Sequence, residues 1–344
     1  MQVVVTGCAG LIGANFCEFL LKQGGYTVFG IDDLSGGYLE NVPEGVEFLK
    51  ADLTNRDDHI EIEKIFTLHR IDFIFNFAAY AAEGLSPFIR QFNYMSNTVA
   101  NAFLINMAIK YNIRRFIFTS SMATYGENSV PYLETMQPNP IDPYGIAKYA
   151  CEMDLRVAHQ QHGLSYVIIR PHNVIGKYQN LWDPYRNVLG IWMYKALRGE
   201  PFTIYGDGEQ TRAFTCVENI MQPLLNAALR PEANTEIINV GGIKEMSINQ
   251  AADLVKRITG TDKVIHLEPR HEVKHAWSSF EKSVELLSYS EDIALEAGLE
   301  NMWRWAQEAF AKFPDRKLKY WENYELDTNI YSYWVTFSDT SLRS

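Results

Sequence analysis

The chain reads as an α/β protein, a doubly wound parallel sheet carrying a smaller α+β lobe, and three features predict it. Short β-branched or aromatic runs alternate with longer helical patterns over the first half of the chain. Those runs are largely continuous in apolar residues rather than alternating, which means burial on both faces and a parallel sheet covered by helices on each side. After about residue 171 the alternation gives way to helices separated by isolated short strands, the pattern of an α+β lobe.

The series opens with VVVT (3–6) and a helical pattern near 11–22. TVFGI (27–31) and VEFL (46–49) follow, then a helix near 57–68 that Thr54 or Asn55 can cap. DFIFN (72–76) precedes a helix near 90–111, RFIFT (115–119) one near 144–162, and SYVIIR (165–170) closes the run. Beyond it YQNLWDPYRN and YGDGEQTR have loop composition, and helices are expected near 187–198, 217–229, 247–259 and 292–312. The expected organisation is a first domain over 1–171 and a lobe over 172–315, from which the chain can cross back. An aromatic-rich extension over 316–344 has no role assigned. With no Pro/Ser-rich linker, the lobe packs directly on the first domain, and the cleft between them is the expected ligand site.

The 344 residues carry 31 Lys and Arg against 42 Asp and Glu, a formal charge of −11, which argues against nucleic acid or an acidic membrane as partner. The start MQVVVTG has no cationic leader pattern, and the most apolar stretch, IDFIFNFAAYAA, falls well short of the roughly 20 residues that span a bilayer. Cys8, Cys17, Cys151 and Cys216 show neither metal-site nor disulfide spacing, so no metal is expected and a reducing cytoplasm is.

The first run leads into Thr6-Gly7-Cys8-Ala9-Gly10-Leu11-Ile12-Gly13, a G-x-x-G-x-x-G turn opening a helix. Glycines allow a tight turn and close approach of a ligand, while the free N–H groups and partial positive charge of the helix start hold a phosphate. Asp32, at the tip of the second strand, stands where a carboxylate accepts hydrogen bonds from an adenosine ribose. A carboxylate there repels a 2′-phosphate, so a Rossmann-type site for NAD, rather than NADP, is expected. Asp52, at the tip of the third strand, is either an adenine contact or a turn residue.

Tyr144 and Lys148 lie one helical turn apart on one face, and Ser121 follows the fifth strand at the sheet edge where such folds place ligands. A phenol is a poor base at neutral pH, but an ammonium and a nicotinium ring beside it stabilise the phenolate. Tyr144 can then take a proton from a substrate hydroxyl while Ser121 hydrogen-bonds the same oxygen. That chemistry is the oxidation of an alcohol.

Together these residues, with Asn76-Phe77-Ala78-Ala79, Ser120-Ser121-Met122-Ala123-Thr124-Tyr125-Gly126 and Arg170-Pro171-His172-Asn173, resemble the extended short-chain dehydrogenase/reductase family. The resemblance is to its nucleotide-sugar epimerase/dehydratase branch, typified by UDP-glucose 4-epimerase, and spans about residues 1–315. It implies Ser121, Tyr144 and Lys148 as catalytic groups. It implies NAD contacts at Gly7, Gly10, Leu11, Ile12, Gly13, Asp32, Asp33, Ser35, Asp52 and Leu53. Further cofactor contacts are implied at Phe77, Ala78, Ala79, Asn97, Tyr144, Lys148, Pro171 and His172. For the sugar nucleotide it implies Ser121, Met122, Asn173, Asn187, Thr203 and Tyr205, with Arg212 and Arg270 on the diphosphate. Trp277 is implied as a gate that disfavours N-acetyl sugars. The implied reaction is C4 epimerisation of a UDP-hexose through a transient 4-keto sugar.

Two departures bear on that reading. Met122-Ala123 stand where the family's 4,6-dehydratases carry Asp-Glu, and the lysine common after the fourth strand in 4-epimerases is missing from Ala79-Tyr80-Ala81-Ala82-Glu83. A nucleotide-sugar dehydrogenase, reductase or dehydratase, and a non-catalytic NAD-binding protein, are the alternatives. The resemblance also implies a homodimer through helices 90–111 and 144–162, whose Phe92, Phe103, Met107 and Met153 are either an apolar contact face or core.

Overall fold

The computed structural model describes residues 1–269 and 272–326. Its first half runs β1 (Gln2–Thr6), α1 (Leu11–Gln23), β2 (Thr27–Asp32), β3 (Glu47–Lys50), α2 (Arg56–Leu68) and β4 (Phe73–Asn76). Then come α3 (Arg90–Tyr94), a π-helical turn (Met95–Val99), α4 (Ala100–Lys110), β5 (Arg115–Thr119), α5 (Pro143–His162) and β6 (Tyr166–Pro171). The second half contains β7 (Val174–Ile175), α6 (Val188–Leu197), β8 (Phe202–Tyr205), β9 (Thr211–Ala213), β10 (Thr215–Cys216) and α7 (Val217–Leu229). It continues with β11 (Ile237–Val240), β12 (Glu245–Ser247), α8 (Ile248–Thr259), β13 (Val264–Leu267), β14 (His275–Ala276), α9 (Glu281–Leu287) and α10 (Leu295–Lys312).

Seven parallel strands form one sheet in the order β11-β6-β5-β4-β1-β2-β3. The inner strands are apolar at most positions because both faces are covered, whereas the edge strand β3 is exposed at Glu47 and Lys50. Val3, Val5, Phe73, Phe75, Ile117 and Val167 enter the core that includes residues of α1 and α7, whereas Val4, Ile74, Phe116, Phe118 and Ile168 enter the opposite core with residues of α2, α4 and α5. The lobe has its own core, in which Trp192, Phe202, Val255 and Met302 bring together α6, β8, α8 and α10.

Three features differ from the sequence expectation. The seventh strand, β11, comes from the second half of the chain and pairs with β6, so the chain does cross back to the sheet. The helix expected over 90–111 is interrupted by the π turn at Met95–Val99. The short helix α9 was not anticipated, since its amphipathic pattern spans only seven residues.

Two constraints fix the sheet edge. The carboxylate of Glu152, fully buried on α5, accepts from Ser120 Oγ at 2.5 Å and from Arg170 Nε and Nη2 at 2.8 and 2.6 Å, tying α5 to the ends of β5 and β6. At the glycine turn, a Cβ on Gly13 would lie 2.1 Å from the carbonyl oxygen of Gly7, and one on Gly7, whose φ is +68°, would lie 2.8 Å from the Ala78 nitrogen. The crossing of β1, α1 and the end of β4 is therefore too tight for side chains.

Replacing Glu152 with Ala should strand the buried Arg170 charge and lower stability by about 3–5 kcal/mol in urea unfolding. Gly13→Ala forces backbone against backbone, so it should cost about 3 kcal/mol or more in the same measurement.

Candidate active site

The sheet's C-terminal edge and the lobe enclose a cavity of about 1350 Å³. One end is the glycine turn. Gly10 is the N-cap of α1 and its side offers no acidic residue in the first turn, so the free N–H groups face the cavity unneutralised. Gly7, Leu11, Ile12, Gly13, Asp33, Ser35, Leu53, Phe77, Ala78 and Ala79 line the same region. Asp32 also lines it, and its carboxylate is oriented by the Ala9 and Leu34 N–H groups at 2.9 and 2.8 Å; burial raises its pKa. Asp52 is a turn residue, its Oδ1 accepting from the Thr54 N–H and hydroxyl at 2.8 and 2.7 Å, and it also lines the cavity. A cradle that admits no Cβ, a helix start and a carboxylate at the tip of β2 fit a dinucleotide.

Ser121, Tyr144 and Lys148 meet in the middle of the cavity. Asp142 caps α5 by accepting from the Gly145 N–H at 2.9 Å, and Pro143 starts the helix, so Tyr144 sits in its first turn and Lys148 one turn on. Lys148, 2% exposed, donates from Nζ to the Thr119 carbonyl at 2.8 Å, and its ammonium lies 5.9 Å from the centre of the Tyr144 ring. Burial lowers its pKa to about 8. The Tyr144 phenol is pushed well above its ordinary value, first by burial and then by the Glu83 carboxylate, while a hydrogen bond from Ser121 works the other way. Among the chain's own groups, then, desolvation outweighs the lysine. The sequence expectation joins the Lys148 ammonium to a nicotinium ring, and of these two the protein itself supplies the ammonium, fixed on the Thr119 carbonyl.

At the lobe end stand Met122, Asn173, Asn187, Thr203, Tyr205 and Arg212, with Pro171 between the two ends. Asn173 adopts a left-handed conformation and donates to the Ala213 carbonyl at 3.1 Å. Asn187 caps α6 through the Leu189 N–H at 3.0 Å. Thr203 accepts from Lys195 at 2.9 Å, and Arg212 pairs with Glu272 at 3.0 Å while lining the cavity.

Three predicted positions lie off the cavity wall. Asn97 is buried in the π turn, where its amide donates to the Tyr80 and Asn93 carbonyls at 3.3 and 3.0 Å. His172 is buried beneath Gly241, and burial lowers its pKa to about 3, so its ring is neutral. Trp277 is half-buried beside the cavity-lining Ala276, and its carbonyl accepts from the Tyr132 N–H at 2.9 Å. Arg270 lies outside the described residues.

Sequence reasoning missed a second set of wall residues. Glu83, Tyr132, Arg186 and Lys195 line the cavity, as do Leu318, Tyr320 and Tyr324 from the C-terminal extension. The dense aromatics of Tyr320-Trp321-Glu322-Asn323-Tyr324 were the one signal that the extension packs against something. Among the described residues there is no cluster of His, Cys, Asp or Glu that could hold a metal, and no helix long and apolar enough to cross a membrane.

Comparison with known proteins agrees with this geometry. A UDP-glucose 4-epimerase of Halalkalibacterium halodurans is 29% identical over 326 residues, covering 90% of this chain and 96% of that one. The solved UDP-glucose 4-epimerase of Thermotoga maritima, in complex with UDP-glucose, superposes with a TM-score of 0.85 at 33% identity, covering 90% of this chain and all of that one. A UDP-glucuronic acid 4-epimerase of Bacillus cereus, solved with its sugar nucleotide and NAD, gives 0.82 at 28% identity, with 90% and 100% covered. The model of the NAD dependent epimerase/dehydratase family matches residues 3–241, and the chain belongs to that family.

Proposed function

We propose that the protein is an NAD-dependent 4-epimerase of a UDP-linked sugar. The observation that carries this reading is the placement of Ser121, Tyr144 and Lys148 between the glycine cradle and the Asn173, Thr203 and Arg212 end of one cavity. A ligand with a sugar at the first group and a diphosphate near Arg212 lies within that space, and arginine's planar fork suits phosphate oxygens.

NAD, when bound, supplies a reversible hydride acceptor. Tyr144 takes the proton of the sugar's 4-hydroxyl and returns it when the ketone is reduced on its other face, so no net oxidation occurs. Ser121 holds the reacting oxygen, and Lys148, fixed by the Thr119 carbonyl, adds positive charge to a phenol that burial alone would keep protonated. Met122 and Ala123 offer neither acid nor base, so the elimination of water lacks its side chains here. Four free cysteines support a cytoplasmic setting.

The dimer reading is supported by the two helices expected, 90–111 and 144–162, although of the four residues named for the contact face only Met153 is exposed. Met107 is core, Phe103 stacks on His59, and Phe92 packs against Trp321. Exposed are Met95 and Val99 on one helix and Ile146, Met153 and Val157 on α5, a stripe at helical spacing. A second copy covering this stripe would bury it.

In a panel of UDP-, GDP- and CDP-sugars read by NMR, a UDP-hexose should be converted to its C4 epimer without accumulation of NADH. Stoichiometric NADH would point to a dehydrogenase instead. Tyr144→Phe should lower turnover by about 10²–10⁴-fold and leave the bound NAD in place. In sedimentation velocity the wild type should run as a dimer and Met153→Glu as a monomer; a monomeric wild type removes the dimer reading.

A further inference from the structure

The segment after α10 takes no part in the family pattern, yet it crosses the active-site cavity. It is anchored at two ends. The Arg316 guanidinium lies 3.8 Å from the Tyr38 ring centre, 4.0 Å from Phe313 and 4.8 Å from Trp182, and it pairs with Glu40 at 2.6 Å. Nine residues on, the Glu325 carboxylate accepts from the Gln91 and Phe92 N–H groups at 2.8 and 3.0 Å, and the Glu325 N–H donates to the Phe88 carbonyl at 2.8 Å. Between the anchors, the Lys319 N–H donates to the Trp182 carbonyl at 2.7 Å, and Trp321 packs against Tyr80 and Phe92 with ring centres 5.3 and 4.5 Å apart. The hydroxyls of Tyr324 and Tyr185 meet at 2.6 Å.

What this segment holds down is the loop over 178–186. That loop bridges two turns of the sheet edge. Asn180 donates to the Gly36 carbonyl at 3.0 Å beyond β2, and Arg186 donates to the Ala81 carbonyl at 3.1 Å beyond β4. Because β1 lies between β2 and β4 in the sheet, the glycine turn at its end lies between the two bridged points. The loop therefore spans the dinucleotide end of the cavity, and the C-terminal segment staples it from outside through Trp182 and Tyr185.

We propose that residues 313–326 are a latch that holds the 178–186 loop across the dinucleotide site and so retains the cofactor through successive turnovers. The proposal rests on the NAD reading. It gives the extension a role suited to an epimerase, which regenerates its cofactor in every cycle and gains nothing from releasing it. Three anchors account for the hold: the Arg316 cation among aromatic rings, the Trp321 ring over Tyr80, and the Glu325 carboxylate on two N–H groups at a helix start.

The test uses the full-length, cofactor-loaded protein and an Arg316→Ala/Trp321→Ala/Glu325→Ala variant. Two quantities are measured, the dissociation rate of NAD and the hydrogen exchange of the amides over 313–326. The variant should exchange these amides faster and release NAD at least about tenfold faster, the equivalent of about 1.4 kcal/mol. Fast amide exchange with an unchanged NAD rate would overturn the proposal, because the latch would be open and the cofactor still held. Amides that stay protected in the variant would also overturn it, because the anchors would not be what holds the segment. A wild-type protein that binds no NAD at all would fail the underlying cofactor reading, which separates the two failures.

Discussion

The active site depends on one buried carboxylate. Glu152 lies one turn beyond Lys148 on the helix that also carries Tyr144, and its oxygens bind Ser120 and Arg170 at the ends of two neighbouring strands. Ser120 is the neighbour of Ser121, so the same contact that fixes the helix also fixes the strand end that presents the hydroxyl. Arg170 stacks on Tyr125, whose hydroxyl donates to Asn239 on β11 at 2.8 Å, and Tyr125 stacks on Tyr132. The chain of contacts then reaches the lobe, where the Tyr132 N–H donates to the Trp277 carbonyl. A buried ion pair adds little net stability compared with an apolar replacement, but it demands one geometry. Here that geometry brings Ser121, Tyr144 and Lys148 into one cavity and connects it to the second half of the molecule.

The net charge of −11 limits partners that read a broad basic surface, but the cavity carries two local features that suit a small anion. At one end these are the free N–H groups of α1. At the other it is Arg212, which already has Glu272 beside it at 3.0 Å. Neither device raises the charge of the outer surface. The catalytic centre is electrostatically costly in the same local way, since burial opposes ionisation of Tyr144 and protonation of Lys148 together.

The first six strands were legible in the sequence as short apolar runs; five of them are buried at nearly every position, and β3, at the sheet edge, is exposed at Glu47 and Lys50. The glycine turn was legible because backbone contacts at Gly7 and Gly13 permit no other residue. β11 was not, since four residues in a region of changed rhythm carry no mark of the strand they will pair with, and only the tertiary fold places them beside β6. Asn97, His172 and Trp277 were assigned by motif position, and the structure places all three behind the wall. Such positions can be held by what they support: Asn97 donates to the carbonyl of Tyr80, whose ring packs edge-on against Phe92 and tilted against Trp321.

The extension shows the limit of motif reading most clearly. It has no helical or strand period, because it packs residue by residue against surfaces made elsewhere: a cation between rings at Arg316, a ring in a cluster at Trp321, a carboxylate at a helix start at Glu325. None of these contacts is between sequence neighbours, and Glu325 finds its partners more than two hundred residues away, so composition could mark the segment as aromatic without saying what it covers. Its contacts fall on the 178–186 loop and on the turn after β4, where Trp321 packs against Tyr80 in the stretch that lacks the lysine common in 4-epimerases. That departure and the extension therefore meet at the rim of the cavity, while Ser121, Tyr144 and Lys148 stand as in the family pattern. Variation at the rim changes what enters and how long it stays; the chemistry underneath is held by Glu152.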